Sequence, residues 1–187
     1  MTETFDLDGK RVPVTLIAAG PCAVTQAKTE KADGYKSVQI GYDRIAARRA
    51  GKNQAAKPYR DLKEFRVDDD GAFKANDEIK VEIFQEGDRV RISGLTKGKG
   101  FQGAVKKHGF KGRHSCTHGT KHELRNVGSV GMGGASIRKG RKMPGRMGGQ
   151  RVTVRNAKVV AVDAKNNIMA VRGAVPGHKG TLLEIRG

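Results

Sequence analysis

The residues best equipped for chemistry in this chain sit close together near its middle. His108, His114, Cys116, His118 and His122 fall within fifteen residues, and imidazole nitrogens with a thiolate are zinc-ligand types. The spacing fits none of the usual paired ligand patterns, and a single Cys among histidines and lysines lacks a matching half. Cys116 also has a histidine two residues away on each side, the minimum for a thiol nucleophile with a base. No acidic residue stands by to orient that base, and a hydrated basic loop makes a poor active site. Gly148-Gly149-Gln150 repeats a tripeptide that peptide-release factors use in ester hydrolysis, but three residues carry little information and a strand begins directly afterwards at Val152. Gly131 to Gly134 has the glycine density of a phosphate-binding loop without the strand-loop-helix context. The expectation is therefore no catalytic residue, no metal ligand set and no cofactor.

What the same region does favour is contact with phosphate. In the 55 residues from Lys97 to Arg151, fourteen are Lys or Arg, fourteen are Gly, and the sole acid is Glu123. The stretch thus carries +13 of the chain's net +18, and more than half of its 26 glycines. Gly98 and Gly100 alternate with Lys97 and Lys99, leaving backbone amides open to phosphate oxygens while the ammonium groups supply point charges. Lys106 with Lys107, Lys111 with Arg113, Arg138 with Lys139, and Arg141 with Lys142 continue the pattern along the segment. Spread out in this way, they suit a chain threading through several phosphate-lined crevices, and counterion release makes such binding steeply salt-dependent. Planar groups are interleaved with the charges, and unstacked bases lie on such rings. Phe110 is the better stacking candidate, whereas Phe101 either stacks or folds back on the body. The expected RNA contacts are Lys97, Lys99, Lys106, Lys107, Phe110, Lys111, Arg113, His114, His118, Lys121, Arg125, Arg138, Lys139, Arg141, Lys142, Arg146 and Arg151.

Such a segment needs a body to position it. At 187 residues the chain fits one compact domain with an appendage. Only 36 % of residues are hydrophobic and 5 % aromatic, with no Trp, so the core must be modest and aliphatic. A sequence pI near 10.3 implies self-repulsion that a polyanionic partner relieves. Two cysteines, Cys22 and Cys116, are too few for a disulfide scaffold and match a reducing compartment. No apolar run approaches the roughly 18 residues that span a bilayer, and Met1 to Lys10 lacks a signal-peptide pattern. A soluble, intracellular, cytoplasmic protein is expected.

The flanks of the basic segment show the period-two alternation of half-buried strands. Val12, Val14 and Leu16 alternate with Pro13 and Thr15 until Gly20-Pro21 interrupts. Cys22–Lys28 and Tyr35–Tyr42 read as a hairpin joined through Asp33-Gly34. A short helix is predicted over Asp43–Gly51 and another from Pro58 into Phe65. Glu78–Phe84 and Asp88–Ile92 read as a second hairpin-like pair, with Val81 in the core. Val152–Val154, Lys158–Val162 and Ile168–Arg172 are predicted strands, the last two joined by an Asn166-Asn167 turn, and Thr181–Ile185 closes the set. Many short strands and few helices indicate a mainly β protein built as a small antiparallel barrel. Its parts are a first barrel portion over 1–96, an extended basic loop over 97–151, and completing strands over 152–187.

Several runs, in order, resemble the signatures of one family, the bacterial large-subunit ribosomal protein L three. They are Ser93-Gly-Leu-Thr-Lys-Gly-Lys-Gly-Phe-Gln-Gly103, Thr117-His118-Gly119, Gly128-Ser129-Val130-Gly131, Lys139-Gly-Arg-Lys-Met-Pro-Gly-Arg-Met-Gly148, Arg151-Val152-Thr153-Val154 and Gly173-Ala-Val-Pro-Gly177. The resemblance extends from Pro13-Val14-Thr15 to the end of the chain. It implies a six-stranded translation-protein-type barrel on the subunit surface, with a loop reaching towards the peptidyl-transferase centre and its tip near Gly131 to Arg146. It also implies binding near the 3′ end of the large-subunit RNA, early in assembly. Neighbours would be ribosomal proteins L fourteen and L nineteen, with no membrane and no small-molecule substrate.

Three features depart from the family pattern. The chain opens at Met1-Thr2 without the usual glycine- and lysine-rich first strand. The loop is shorter around Met132 to Ser136, so a glutamine methylated in some members has no clear counterpart. A family histidine aligns with Leu124. Two other readings compete. A free-standing nucleic-acid-binding barrel outside the ribosome predicts tolerant binding to many duplexes, and an enzyme on a barrel fold predicts a pocket lined by acids or ligands.

Overall fold

Alternating apolar and polar residues make strands, and strands dominate the computed structural model, which describes residues 1–6, 8–46, 49, 51–52, 56–68, 73–113, 118–119, 123–131 and 137–187. In chain order they are β1 (Thr2–Phe5), β2 (Arg11–Ala18), β3 (Cys22–Lys28), β4 (Ser37–Arg44), β5 (Tyr59–Arg66), β6 (Glu78–Ile79), β7 (Arg89–Leu95), β8 (Phe101–Gln102), β9 (Gly145–Arg146), β10 (Arg151–Asp163), β11 (Ile168–Arg172) and β12 (Leu183–Arg186). Two short helices, α1 (Glu30–Asp33) and α2 (Ala104–His108), join them. The chain divides into two compact units, one of Met1–Arg91, Arg155–Ala174 and Arg186–Gly187, the other of Ile92–Val154 and Val175–Ile185.

One sheet has the order β1-β2-β11-β10-β7-β12 and another the order β5-β4-β3-β6. The ladders β1–β2, β2–β11, β10–β11, β3–β4 and β4–β5 are antiparallel. A closed barrel was expected, but the six-stranded order ends at β1 and β12, and among the described residues no ladder joins those ends. Both end strands are four residues long, which leaves few backbone groups for a closing ladder.

In the first unit, buried Val90, Ala157, Val159, Met169 and Val171 supply the aliphatic core of β7, β10 and β11, and in the second Ile92 is buried as well. Val24, Val38 and Val81 are also buried, Val81 completely, as its core assignment required. On β2, Val14 and Ile17 are buried while Leu16 remains 57 % exposed, in contrast to the expected Val12-Val14-Leu16 face. Val14 and Ile17 lie on opposite faces of a period-two strand, so each face is covered at a different point.

The expected Asp33-Gly34 hairpin forms, with β3 and β4 paired from Lys28↔Ser37 onwards. Its connection is the single turn α1, closed by Gly34 in the left-handed region. The predicted helix from Pro58 into Phe65 is wrong, and the one over Asp43–Gly51 is corrected at its start, while Ala47, Arg48 and Ala50 lie outside the described residues. Asp43 and Arg44 belong to β4, and Pro58 leads into β5, which pairs with β4 from Ser37↔Arg66 to Arg44↔Tyr59. Apolar Tyr59, Leu62 and Phe65 have helical spacing, but the ladder to β4 overrides that local signal. Tyr59 lies over Gly41, where an added Cβ would come within 2.5 Å of its ring. The predicted Glu78–Phe84 strand is also corrected: only Glu78–Ile79 is extended, and it pairs with β3. Val81–Ile83 instead form a single 3-10 turn. Val152–Val154 and Lys158–Val162, read as two strands, are one strand β10 bent at Asn156, whose φ of 57° lies in the left-handed region that Asn tolerates. The Asn166-Asn167 turn is present, with the Asp163 carboxylate accepting backbone N–H bonds from Lys165 and Asn166. Thr2–Phe5 supply an edge strand that alternation in the sequence did not reveal.

Across the small sheet, Lys28 Nζ meets Glu64 Oε1 at 2.7 Å and donates to Tyr35 Oη at 2.7 Å, and Tyr35 donates to Glu64 Oε2 at 2.9 Å. The Lys28 bond holds the Glu64 carboxyl below its ordinary value, with the Tyr35 bond adding to it. Glu64 in turn raises Lys28.

Candidate nucleic-acid interface

The basic segment leaves β7 at Leu95 and returns into β10 at Arg151, and its two ends are bound to each other. Thr96 N–H donates to the Gln150 carbonyl at 2.9 Å, and Gly149 N–H to the Thr96 carbonyl at 3.1 Å. Lys99 N–H then donates to the Met147 carbonyl, and Met147 N–H to that of Gly100, each at 2.9 Å. Phe101↔Arg146 and Gln102↔Gly145 complete the ladder as β8 and β9. Gly148, at φ 75°, makes this approach possible: a Cβ there would lie 2.1 Å from the Lys97 carbonyl oxygen.

Beyond the ladder, Ala104 is buried and anchors α2, a helix that an aperiodic loop was not expected to contain. Lys106, Lys107 and His108 occupy its last turn, where cations complement the carbonyl end of a helix. His108 Nε2 lies 3.0 Å from the Met143 carbonyl and ties the outgoing limb to the returning one. Phe110 is half-buried, tilted against the His108 ring with centroids 6.0 Å apart. Phe101 is 76 % exposed. Of the two rings, Phe101 is therefore the more available for a base, reversing the ranking read from the sequence.

The proposed contacts fall into three groups. Lys97, Lys99, Lys106, Lys111, Arg125, Arg138, Lys139, Arg141, Lys142 and Arg146 are exposed, Lys107 is half-buried, and among the described residues none of these forms an ion pair with an acid. Arg113 is bound to Glu123, and Arg151 to Glu184, so part of their charge is already answered. Arg141 also donates to the Ser129 carbonyl. His118 is exposed at φ 55°. His114 and Lys121, with Cys116 and His122, lie outside the described residues. Among the described residues no group of three His, Cys, Asp or Glu is placed to hold a metal ion, and no helix is long and apolar enough to cross a membrane.

A hydrogen-bonded, glycine-paved stem displaying uncompensated cations and one open aromatic ring can bind phosphate and stack a base. The exposure of Phe101 had no sequence signal, because it follows from a ladder partner 45 residues away.

Compared with known proteins, residues 66–166 match the family model described as Ribosomal protein L3. The whole chain is 46 % identical over 194 residues to the large ribosomal subunit protein uL3 of Desulfitobacterium hafniense, covering 91 % of that protein. It is 45 % identical over 194 residues to the protein of the same name from Carboxydothermus hydrogenoformans, covering 92 % of it. With that of Thermosipho africanus it shares 47 % identity over 193 residues, 93 % of the relative.

Proposed function

The chain belongs to the ribosomal protein L3 family, and from that premise we propose that it is a structural constituent of the large ribosomal subunit. Residues 97–151 act as an arm that lies within folded ribosomal RNA and reaches towards the peptidyl-transferase centre. The body sits at the subunit surface beside ribosomal proteins L fourteen and L nineteen. It binds near the 3′ end of the large-subunit RNA early in assembly. The protein works in the cytoplasm and performs no chemistry of its own.

The observation that carries this reading is the density of cations in residues 97–151, of which, among the described residues, only Arg113 and Arg151 face an acid. Like charges so close together repel in water and gain most when phosphates lie between them. Fourteen glycines in the same segment remove side chains that would hold those phosphates off. Sedimentation of cell extract through a density gradient tests the proposal. The chain should co-migrate with the large subunit and remain there in moderate salt, whereas a peak at the top of the gradient would refute it.

A further inference from the structure

A second group of exposed cations stands on strands β7, β10 and β11. On β7, Arg89 and Arg91 are exposed and alternate with buried Val90 and Ile92. On β10, Lys158 is exposed between buried Ala157 and Val159, and Arg155 is exposed just before the Asn156 bend. On β11, Arg172 is exposed after buried Val171. These strands are neighbours in the order β11-β10-β7. Val159 pairs with Val171, so the next rung sets Lys158 beside Arg172. Val159 N–H also donates to the Asp88 carbonyl at 2.9 Å, which sets Arg89 beside Lys158 on the other side. Three cations thus form a row across three strands spaced about 4.8 Å apart. Arg91 and Arg155 extend it along the strands.

Among the described residues none of the five forms an ion pair or a side-chain hydrogen bond. Like charges directly opposite one another on a sheet destabilise it. A row of three without an answering acid is therefore a local cost of folding that only an external anion offsets. The core face of these strands is aliphatic and filled, so the cations cannot turn inwards. A row of Arg and Lys on paired strands, with Asn156 beside it, offers mainly charge and bidentate hydrogen bonds, which suit phosphate rather than base edges.

We propose that this face of β7, β10 and β11 grips the phosphate backbone of an RNA helix, as a second and independent contact of the body with the same RNA. The inference rests on the ribosomal reading above, and adds a site outside the arm. Its consequence is two-point attachment: the sheet face fixes the body on one helix while the arm enters another part of the RNA.

The test compares three full-length proteins on a mixed-sequence RNA hairpin, titrated with salt. They are the wild type, a face variant (Arg89→Gln, Arg91→Gln, Arg155→Gln, Lys158→Gln, Arg172→Gln) and an arm variant (Arg141→Gln, Lys142→Gln, Arg146→Gln). Each phosphate contact contributes about 0.9 to the slope of log affinity against log salt for a duplex. The face variant should lose about 4.5 from that slope if all five residues contact phosphate. A version with Lys at the four Arg positions should keep the wild-type slope. If the face variant binds with the wild-type slope while the arm variant is weakened, the inference is overturned and the ribosomal reading stands. If the wild type itself does not bind, both fail together. Should the five-site variant unfold, the pairs Arg89→Gln with Arg91→Gln, and Arg155→Gln with Lys158→Gln, must each lower the slope by about two, and an unchanged slope in both refutes the site.

Discussion

Replacing Gly148 with alanine places a methyl group where the Lys97 carbonyl already stands, 2.1 Å from its oxygen. Ordinary contact begins near 3.4 Å, so one limb must retreat by more than an ångström. The neighbouring bonds, Lys99 to Met147 at 2.9 Å and Gly149 to Thr96 at 3.1 Å, lie on either side of that point and cannot both survive such a movement. Two lost hydrogen bonds cost about 2 kcal/mol together, and a non-glycine residue at φ 75° adds about 1 to 2 kcal/mol. The total, roughly 3 to 4 kcal/mol, falls on the stem and leaves the core untouched. Amide exchange measured by NMR on the full chain should show Lys99, Met147 and Gly149 losing about two orders of magnitude in protection, or all of it. The Val24 and Val159 amides should be unchanged. Gly98→Ala is the matched control, because nothing lies within 4 Å of its Cβ position. Wild-type protection in Gly148→Ala would refute the paired-limb stem.

Other perturbations reach the body. Val81→Asp buries an unpaired carboxylate at a fully enclosed site and should cost several kcal/mol, about enough to unfold a marginal domain; a native circular dichroism spectrum would count against that core position. Gly41→Ala should destabilise by about 1 to 3 kcal/mol in urea unfolding through overpacking against Tyr59, and Tyr59→Ala should reduce that difference. Glu64 has a folded pKa held below its unfolded value, so its contribution is present above the unfolded pKa and disappears as pH falls through the folded one. Melting midpoints of wild type and Glu64→Gln should therefore differ near neutrality and converge in acid. The same pair raises Lys28, whose contribution is lost only as pH rises through an elevated folded pKa at strongly alkaline pH. Changing Arg141, Lys142 and Arg146 to Ala should leave the circular dichroism of the body intact while slowing large-subunit maturation, seen as accumulated precursor particles in gradients.

Strands with a buried face were legible in the sequence because the core imposes a period of two. β11 ends where its continuous apolar run gives way to Arg172, and Asn166-Asn167 forms the turn before it. The errors arose where long-range pairing outweighed local pattern. Tyr59, Leu62 and Phe65 look helical by spacing, yet β4 supplies a complete ladder for them. Ile79, Val81 and Ile83 alternate, yet the chain turns at Val81 because β3 accepts only Glu78 and Ile79 as partners. Asn156 divides an alternation that belongs to one bent strand. In the basic segment, charge and glycine content identified the chemistry, but backbone bonds between Thr96 and Gln150 leave no trace in side-chain pattern. The row formed by Arg89, Lys158 and Arg172 was invisible for a related reason, since its members are far apart in sequence and meet only through strand order.

The most direct test of the central claim is a cryo-electron-microscopy structure of the large ribosomal subunit carrying this chain. RNA should lie on all sides of residues 97–151, with phosphate oxygens within hydrogen-bonding distance of Arg141, Lys142 and Arg146. An arm lying in solvent, or packed only against protein, would contradict it.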